Sequence, residues 1–162
     1  MLSLKPATPQ DLASIAHLAH EIWTKHYVPI IGQAQVDYML NKLYSTPALE
    51  KQISEGQRFH LIFDNERPIG FISVSNKGGK DYFLHKFYIL QENQHAGIGT
   101  EVFKKIFGEL YQPDNIHLTV NRQNFRSVNF YFKQGFKIEK VEDFDIGNGY
   151  FMNDFVMAWK KN

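Results

Sequence analysis

The chain has no cysteine among its 162 residues. Disulfides, thiolate metal sites and any covalent intermediate on a cysteine are thereby excluded. A charge excess of either sign is missing too. Eighteen Lys and Arg face 17 Asp and Glu, and the formal net charge of +1 creates no broad field toward nucleic acid or anionic lipid. Long apolar runs are absent: none reaches the roughly 18 residues of a spanning helix. The opening MLSLKPATPQDL also lacks the apolar core of a signal peptide. The expectation is a cytoplasmic protein that contacts neither membrane nor nucleic acid. Without repeat, low-complexity tract or linker, residues 1–162 read as a single domain. Aromatic residues are plentiful, with 14 Phe and 8 Tyr, and without a basic face they are expected to pack a core rather than stack on bases.

The hydrophobic pattern changes period along the chain. Residues 2–6 read as a strand, and Thr8-Pro9-Gln10-Asp11 opens a helix with Thr8 as N-cap and Pro9 in the first turn. Leu12, Ile15, Ala16, Ala19, Ile22 and Trp23 then form one stripe at helical spacing. Val36, Met39, Leu40 and Leu43 predict a second helix, and Pro47 opens another helical turn through Ile53. Strands follow at 59–63, 69–75 and 82–90, separated by Asp64-Asn65-Glu66-Arg67 and by Gly78-Gly79. From Gly97 to Leu110 the period is helical again. A strand at 116–120, a helix over 125–134 stopped by Gly135, and two strands near 136–146 and 150–159 complete the chain. Strand–helix–strand units in the second half imply some parallel pairing. The fold class is α/β (α+β): a mixed sheet of about seven strands with four to five helices.

Within Phe87-Tyr88-Ile89-Leu90-Gln91-Glu92-Asn93-Gln94-His95-Ala96-Gly97-Ile98-Gly99-Thr100 a strand ends and glycines open a helix. Glycine lets a ligand approach the backbone, and the first helical turn offers free N–H groups at its positive end, as a pyrophosphate cradle requires. Gly97 and Gly99 serve equally well as plain turn residues. A P-loop would need Lys-Ser/Thr after its last glycine, and Thr100-Glu101 stands there instead. The dinucleotide G-x-G-x-x-G pattern fails for want of a third glycine.

The stretch Leu118-Thr119-Val120-Asn121-Arg122-Gln123-Asn124-Phe125-Arg126-Ser127-Val128-Asn129-Phe130-Tyr131-Phe132-Lys133-Gln134-Gly135-Phe136 adds a strand, a loop, a helix and a glycine stop. Together with Gln94-x-x-Gly97-x-Gly99, about 25 residues upstream, it resembles the GNAT superfamily of N-acetyltransferases over nearly the whole chain. The resemblance implies acetyl-CoA as co-substrate and a direct transfer to an amine in a ternary complex; with no third ligand in view beside His17 and His20, no metal is expected. It implies that the backbone at Phe87, Tyr88 and Ile89 pairs with the pantetheine arm. The cofactor would enter where strand 87–90 splays from strand 117–120, with Gln94, His95, Ala96, Gly97, Ile98, Gly99 and Thr100 holding the pyrophosphate. Asn124 matches the family's asparagine at the cofactor arm, and Tyr131 its tyrosine that protonates the departing thiolate. A phenol of ordinary pKa, about 10, can supply that proton at neutral pH.

The general base is less legible. Some protein N-terminal acetyltransferases carry a glutamate where this chain has Thr119. Many relatives use a carboxylate on the fourth strand, and His85 stands near that place, with an imidazole that titrates in a useful range. A strand histidine serves equally as a sheet-surface residue. Trp23, His26 and Tyr27 fall where relatives line the acceptor pocket. His17 and His20 lie off the apolar stripe. The tail Gly149-Tyr150-Phe151-Met152-Asn153-Asp154-Phe155-Val156-Met157 resembles, more loosely, the closing hairpin of PaiA-type spermidine/spermine acetyltransferases, and brings Tyr150 into the acceptor set. No acidic run marks a polycation site; Glu21, Asp37 and Asp154 are scattered candidates. The implied acceptor is a small-molecule primary amine, with polyamines among the candidates. Amino acids, aminoglycoside-like amines and protein N-termini are alternatives within the fold, and a CoA-binding sensor without turnover is the alternative outside catalysis. A homodimer is one assembly the resemblance allows.

Overall fold

The apolar stripe of the first helix sets the architecture. Leu12, Ile15, Leu18, Ala19, Ile22 and Trp23 recur every three or four residues and are all buried on α1 (Leu12–His26). A 3-10 turn over Pro9–Asp11 introduces it, with the Thr8 backbone N–H donating to Asp11 Oδ2 at 2.8 Å. The computed structural model describes residues 1–95 and 97–162, so Ala96 of the expected phosphate loop lies outside the described residues. Short α2 (Val28–Ile31) follows, then α3 (Gln33–Tyr44) and α4 (Thr46–Ser54), whose N-cap Ser45 accepts a hydrogen bond from the Ala48 N–H. Later come α5 (Ile98–Phe103), continued by a π-helical segment over Lys104–Tyr111, and α6 (Phe125–Lys133). The described residues thus form six α-helices rather than four to five. The addition is α2, a single turn that Pro29 can open but that is too short to show a period.

Seven strands form one mixed sheet: β1 (Leu2–Pro6), β2 (Arg58–Asp64), β3 (Arg67–Gly78), β4 (Asp81–Ile89), β5 (Asn115–Asn121), β6 (Lys137–Gly147) and β7 (Tyr150–Lys160). Their order is β1-β2-β3-β4-β5-β7-β6. Only β4 and β5 run parallel; the other neighbours are antiparallel. Each face carries its own core. Ile72, Leu84, Val102, Ile106, Leu118 and Met157 are buried on the α5/α6 side. Ile15, Trp23, Val36, Leu49, Leu61 and Phe71 are buried on the α1/α3/α4 side. Among the described residues no helix is long and apolar enough to cross a membrane.

Two irregularities position the site. First, β4 pairs with β5 only from Asp81↔Asn115 to Leu84↔Leu118, and beyond Leu84 the strands part. Second, the β3–β4 register jumps from Ser73↔Lys86 to Val74↔Leu84, which makes His85 the extra residue of a β-bulge. Simple alternation from Leu84 would send Lys86 into the α5/α6 core. The bulge turns it to the opposite face, against Tyr44 and Phe59, and Tyr88 follows it there.

β3 and β4 also meet unusually closely. A Cβ on Gly70, which pairs with Ile89, would collide with the Tyr88 carbonyl oxygen, whereas one on Gly108 would make an ordinary 3.7 Å contact with Lys104. Gly70→Ala is therefore expected to cost about 1–3 kcal/mol, the usual range for overpacking. Gly108→Ala, inside a helical segment, should cost nothing or stabilise slightly. Equal denaturation midpoints for the two variants would contradict the close approach.

Candidate active site

Where β4 and β5 part, the sheet opens into two adjoining cavities. The smaller, of about 250 Å³, lies beside the start of α5. Gly97 is the N-cap of α5, with φ of +88° and no side-chain cap, and a Cβ there would meet nothing within 4 Å. The Ile98 N–H donates to the His95 carbonyl at 3.3 Å, and the N–H groups of Gly99 and Thr100 behind it are the ones a helix start can offer a ligand. Gly99 has a different purpose: a Cβ there would come within 2.8 Å of the Phe130 ring, so this glycine lets α6 pack against α5. The cavity is lined by Phe87, Tyr88, Ile89, Gln94, His95, Gly97, Ile98, Gly99, Thr100, Asn124 and Tyr131, every described residue expected at the cofactor. Arg126 and Lys133 of α6 also line it, with no carboxylate among the lining residues. A diphosphate therefore fits the charge of the walls. Arg126 Nη2 donates to the Gln94 carbonyl at 3.2 Å, and Gln94 Nε2 donates to the Ile89 carbonyl at 2.7 Å. These bonds tie the loop to both β4 and α6.

Asn124 and Tyr131 sit at the junction and line both cavities. Asn124 is buried as the N-cap of α6. Its Oδ1 accepts from the Ser127 N–H at 3.4 Å and lies 3.1 Å from His26 Nε2, while its Nδ2 donates to the Tyr27 hydroxyl at 3.2 Å. The side chain thus locks α6 to α1 across the cleft. Tyr131 is buried among Phe103, Phe130 and Phe136. Burial raises its phenol well above the ordinary value, with a further push from Tyr27, so Tyr131 holds its proton throughout the neutral range. The expectation of an unperturbed phenol is corrected in that direction.

The larger cavity, of about 750 Å³, lies between β4, β5, β7 and the first helices. Trp23 and Tyr27 line it, as expected. His26 faces the smaller cavity instead. Tyr150 is absent from both walls; its ring stacks 5.2 Å from that of Tyr38, at the tip of the β6–β7 hairpin. The hairpin is long enough to carry Tyr150 past the cleft. His85 lines the larger cavity, with Nε2 2.6 Å from Ser75 Oγ. Burial, reinforced by the Lys86 and Lys77 charges, lowers its pKa to about 4. The imidazole is neutral at pH 7 but binds an abstracted proton weakly.

Of the scattered acids, Glu21 pairs with Lys25 at 3.3 Å and Asp37 is an exposed acceptor for Gln33, both outside this cavity. Asp154 is the one that reaches the cleft. It is only 3% exposed, opposite Asn121 in the β5–β7 register, and its Oδ1 has no partner. Burial raises its pKa to about 6, against the pull of a Thr119 hydrogen bond and the Arg122 charge. Its field reaches Tyr27, whose phenol is raised chiefly by burial. A second buried ionisable group, Lys86, was not anticipated. Sequence did carry its signal: a lone lysine within Phe83-Leu84-His85-Lys86-Phe87-Tyr88-Ile89-Leu90, a strand apolar enough to be covered on both faces.

The family model for the acetyltransferase (GNAT) domain matches residues 28–149. A spermidine N(1)-acetyltransferase of Thermoplasma acidophilum is 27% identical over 155 residues, covering 89% of this chain and 93% of that protein. An uncharacterised N-acetyltransferase of Mycobacterium tuberculosis is 29% identical over 151 residues, covering 91% and 96%. The crystal structure of the PaiA N-acetyltransferase from Thermoplasma acidophilum, in complex with coenzyme A, superposes with a TM-score of 0.80 at 25% identity and covers 99% of each chain. The chain belongs to the GNAT family of acetyltransferases.

Proposed function

We propose that this enzyme transfers an acetyl group from acetyl-CoA to the primary amine of a small molecule, by direct attack within a ternary complex. The observation that carries the reading is the pair of cavities meeting at Tyr131 and Asn124, one with basic walls and an uncapped helix start, the other holding a buried carboxylate. Acetyl-CoA supplies the activated acyl group, and its diphosphate suits the Gly97 turn with Arg126 and Lys133. The chain's own residues then manage two protons. A primary amine keeps its proton to about pH 10 and must lose it to attack. Asp154 Oδ1, buried and unpartnered, accepts it; His85, held near pKa 4, binds that proton far less well. Tyr131 Oη, protonated across the working range, donates to the departing sulfur. Asn124 fixes α6, and with it Tyr131, against His26 and Tyr27. Spermidine, the acceptor named for the Thermoplasma acidophilum relative, is a natural member of any acceptor panel.

Acetyl-CoA should raise the thermal midpoint by binding the folded state, whereas NAD and ATP should not. Gly97→Val should abolish that shift, because its side chain would enter the open space before the turn and a β-branched residue opposes the φ of +88° that the turn requires. No binding of acetyl-CoA to the wild type at high micromolar concentration would refute the donor.

Tyr131→Phe keeps the ring and removes the proton. kcat and kcat/KM should fall together by about 10²–10⁴-fold, with acetyl-CoA affinity little changed. Unchanged turnover would remove Tyr131 from the chemistry, and lost cofactor binding would make it an anchor.

The sign of the Asp154 effect follows from its raised pKa. The carboxylate form, competent as base, prevails above about pH 6, so wild-type kcat/KM should climb through that value. Dividing by the Asp154→Asn profile cancels the titration of the amine itself and should leave that limb alone. The folded state also holds this proton more tightly than the unfolded chain does. Wild-type stability relative to Asp154→Asn is therefore greatest below about pH 4 and is lost as pH rises through 6. A flat ratio and a pH-independent stability difference would exclude the assignment.

A further inference from the structure

Lys86 is 7% exposed, and the only hydrogen bond to its Nζ is with a neutral amide, Gln57 Oε1 at 2.9 Å, among the described residues. The ammonium lies 5.4 Å from the Phe59 ring centroid and 5.9 Å from that of Tyr44. It thus occupies the aromatic faces on which a substrate ammonium would otherwise rest. Two more donors stand in the same wall. Trp23 and Tyr44 line it with their rings 5.9 Å apart, and the Tyr44 phenol, raised chiefly by burial, is in hydrogen-bond reach of Trp23 and Tyr88.

The charges of the larger cavity are segregated. Its lining carries Lys77, Lys86, Lys140, Glu142 and Asp154. Lys140 and Glu142 pair with each other at 2.8 Å. What remains is a carboxylate at the β7 side and two lysines at the β3–β4 side. Asp154 marks where the reacting amine must be, near Tyr27 and the junction. The opposite end carries the two lysines, which repel a second ammonium and suit an anion, beside one unpartnered acceptor, Gln52 Oε1.

We propose that Lys86, with Trp23 and Tyr44, forms a specificity subsite for an acidic group on the acceptor, so that the enzyme acetylates amino-acid-like molecules carrying an amine at one end and a carboxylate at the other, in preference to polyamines. The proposal rests on the acetyltransferase reading and narrows its acceptor. Burial lowers the Lys86 pKa to about 7, so the free pocket holds a half-charged amine that an incoming carboxylate stabilises as ammonium. The β4 bulge at His85 is what aims Lys86 here.

The test uses the purified enzyme with acetyl-CoA and three matched acceptor series. These are unbranched amino acids from β-alanine to ε-aminocaproate, the diamines of equal length, and the corresponding monoamines. The best amino acid should exceed its diamine in kcat/KM by about tenfold or more, as a hydrogen-bonded charge pair can supply. Lys86→Met preserves length and removes the charge. It should cut the amino acid to monoamine ratio by about tenfold to a hundredfold, without lowering the thermal midpoint, since a desolvated charge is lost. A diamine that outperforms every amino acid in the wild type overturns the proposal. So does a ratio unmoved in Lys86→Met, or an equal loss on all amines, which would make Lys86 a base. Calorimetric titration of the CoA complex with the amino acids separates this from the reading beneath it. Binding that depends on Lys86 without turnover keeps the subsite and refutes transfer to these amines; no amino acid bound by the wild type refutes the subsite.

Discussion

The site depends on the parting of two parallel strands. β4 and β5 are hydrogen-bonded for four residue pairs and then diverge, which leaves the Phe87–Ile89 edge of β4 free of its neighbour in the middle of a seven-stranded sheet. An unpaired backbone inside a sheet is costly unless something else meets it. Here the divergence is held open by side chains rather than by a gap in the fold. Asn124 at the head of α6 reaches across to His26 and Tyr27 of the first helical region, and Gln94 caps the Ile89 carbonyl. The opening is a built feature, and an extended amide-bearing ligand is the natural occupant of the free edge.

Depth sets the electrostatics of that opening. Tyr131, Asp154, His85 and Lys86 are all shifted mainly by burial, each toward its neutral form. The same desolvation thus has four chemical consequences. It keeps a phenol protonated, brings a carboxyl group toward neutrality in reach of an amine, weakens an imidazole as a base and leaves a lysine poised between charge states. Polarity within the cleft comes from the sheet topology, because β7 brings Asp154 to one wall while β4 brings Lys86 to the other.

Much of this was legible in order along the chain. Asn124 and Tyr131 were reached through the resemblance to the GNAT family, and the strand and helix sequence and the glycine turn through local patterns: period and the spacing of small residues. These are properties of neighbours within a few positions, and they survive whatever the rest of the fold does. Residues whose role needs a distant partner were harder to read. Asp154 stood among three scattered acids, and nothing near it in the chain separates it from Glu21 or Asp37. Tyr150 entered the acceptor set through the likeness of its hairpin to that of PaiA-type acetyltransferases, yet hairpin length carries it to Tyr38.

The sequence by itself therefore determined the elements and, through the family resemblance its two motifs carry, the junction residues of the cleft, since the motifs are written in contiguous stretches. Only the tertiary structure decided which ionisable groups face one another. A single bulged residue at His85 reverses the side on which Lys86 and Tyr88 emerge, and no alternation pattern announces it. The β5–β7 register, which joins positions more than thirty residues apart, decides that Asp154 meets Asn121 at the mouth of the cleft. Register and bulge are set by the packing of whole faces, so the chemistry they assemble appears only once those faces are closed.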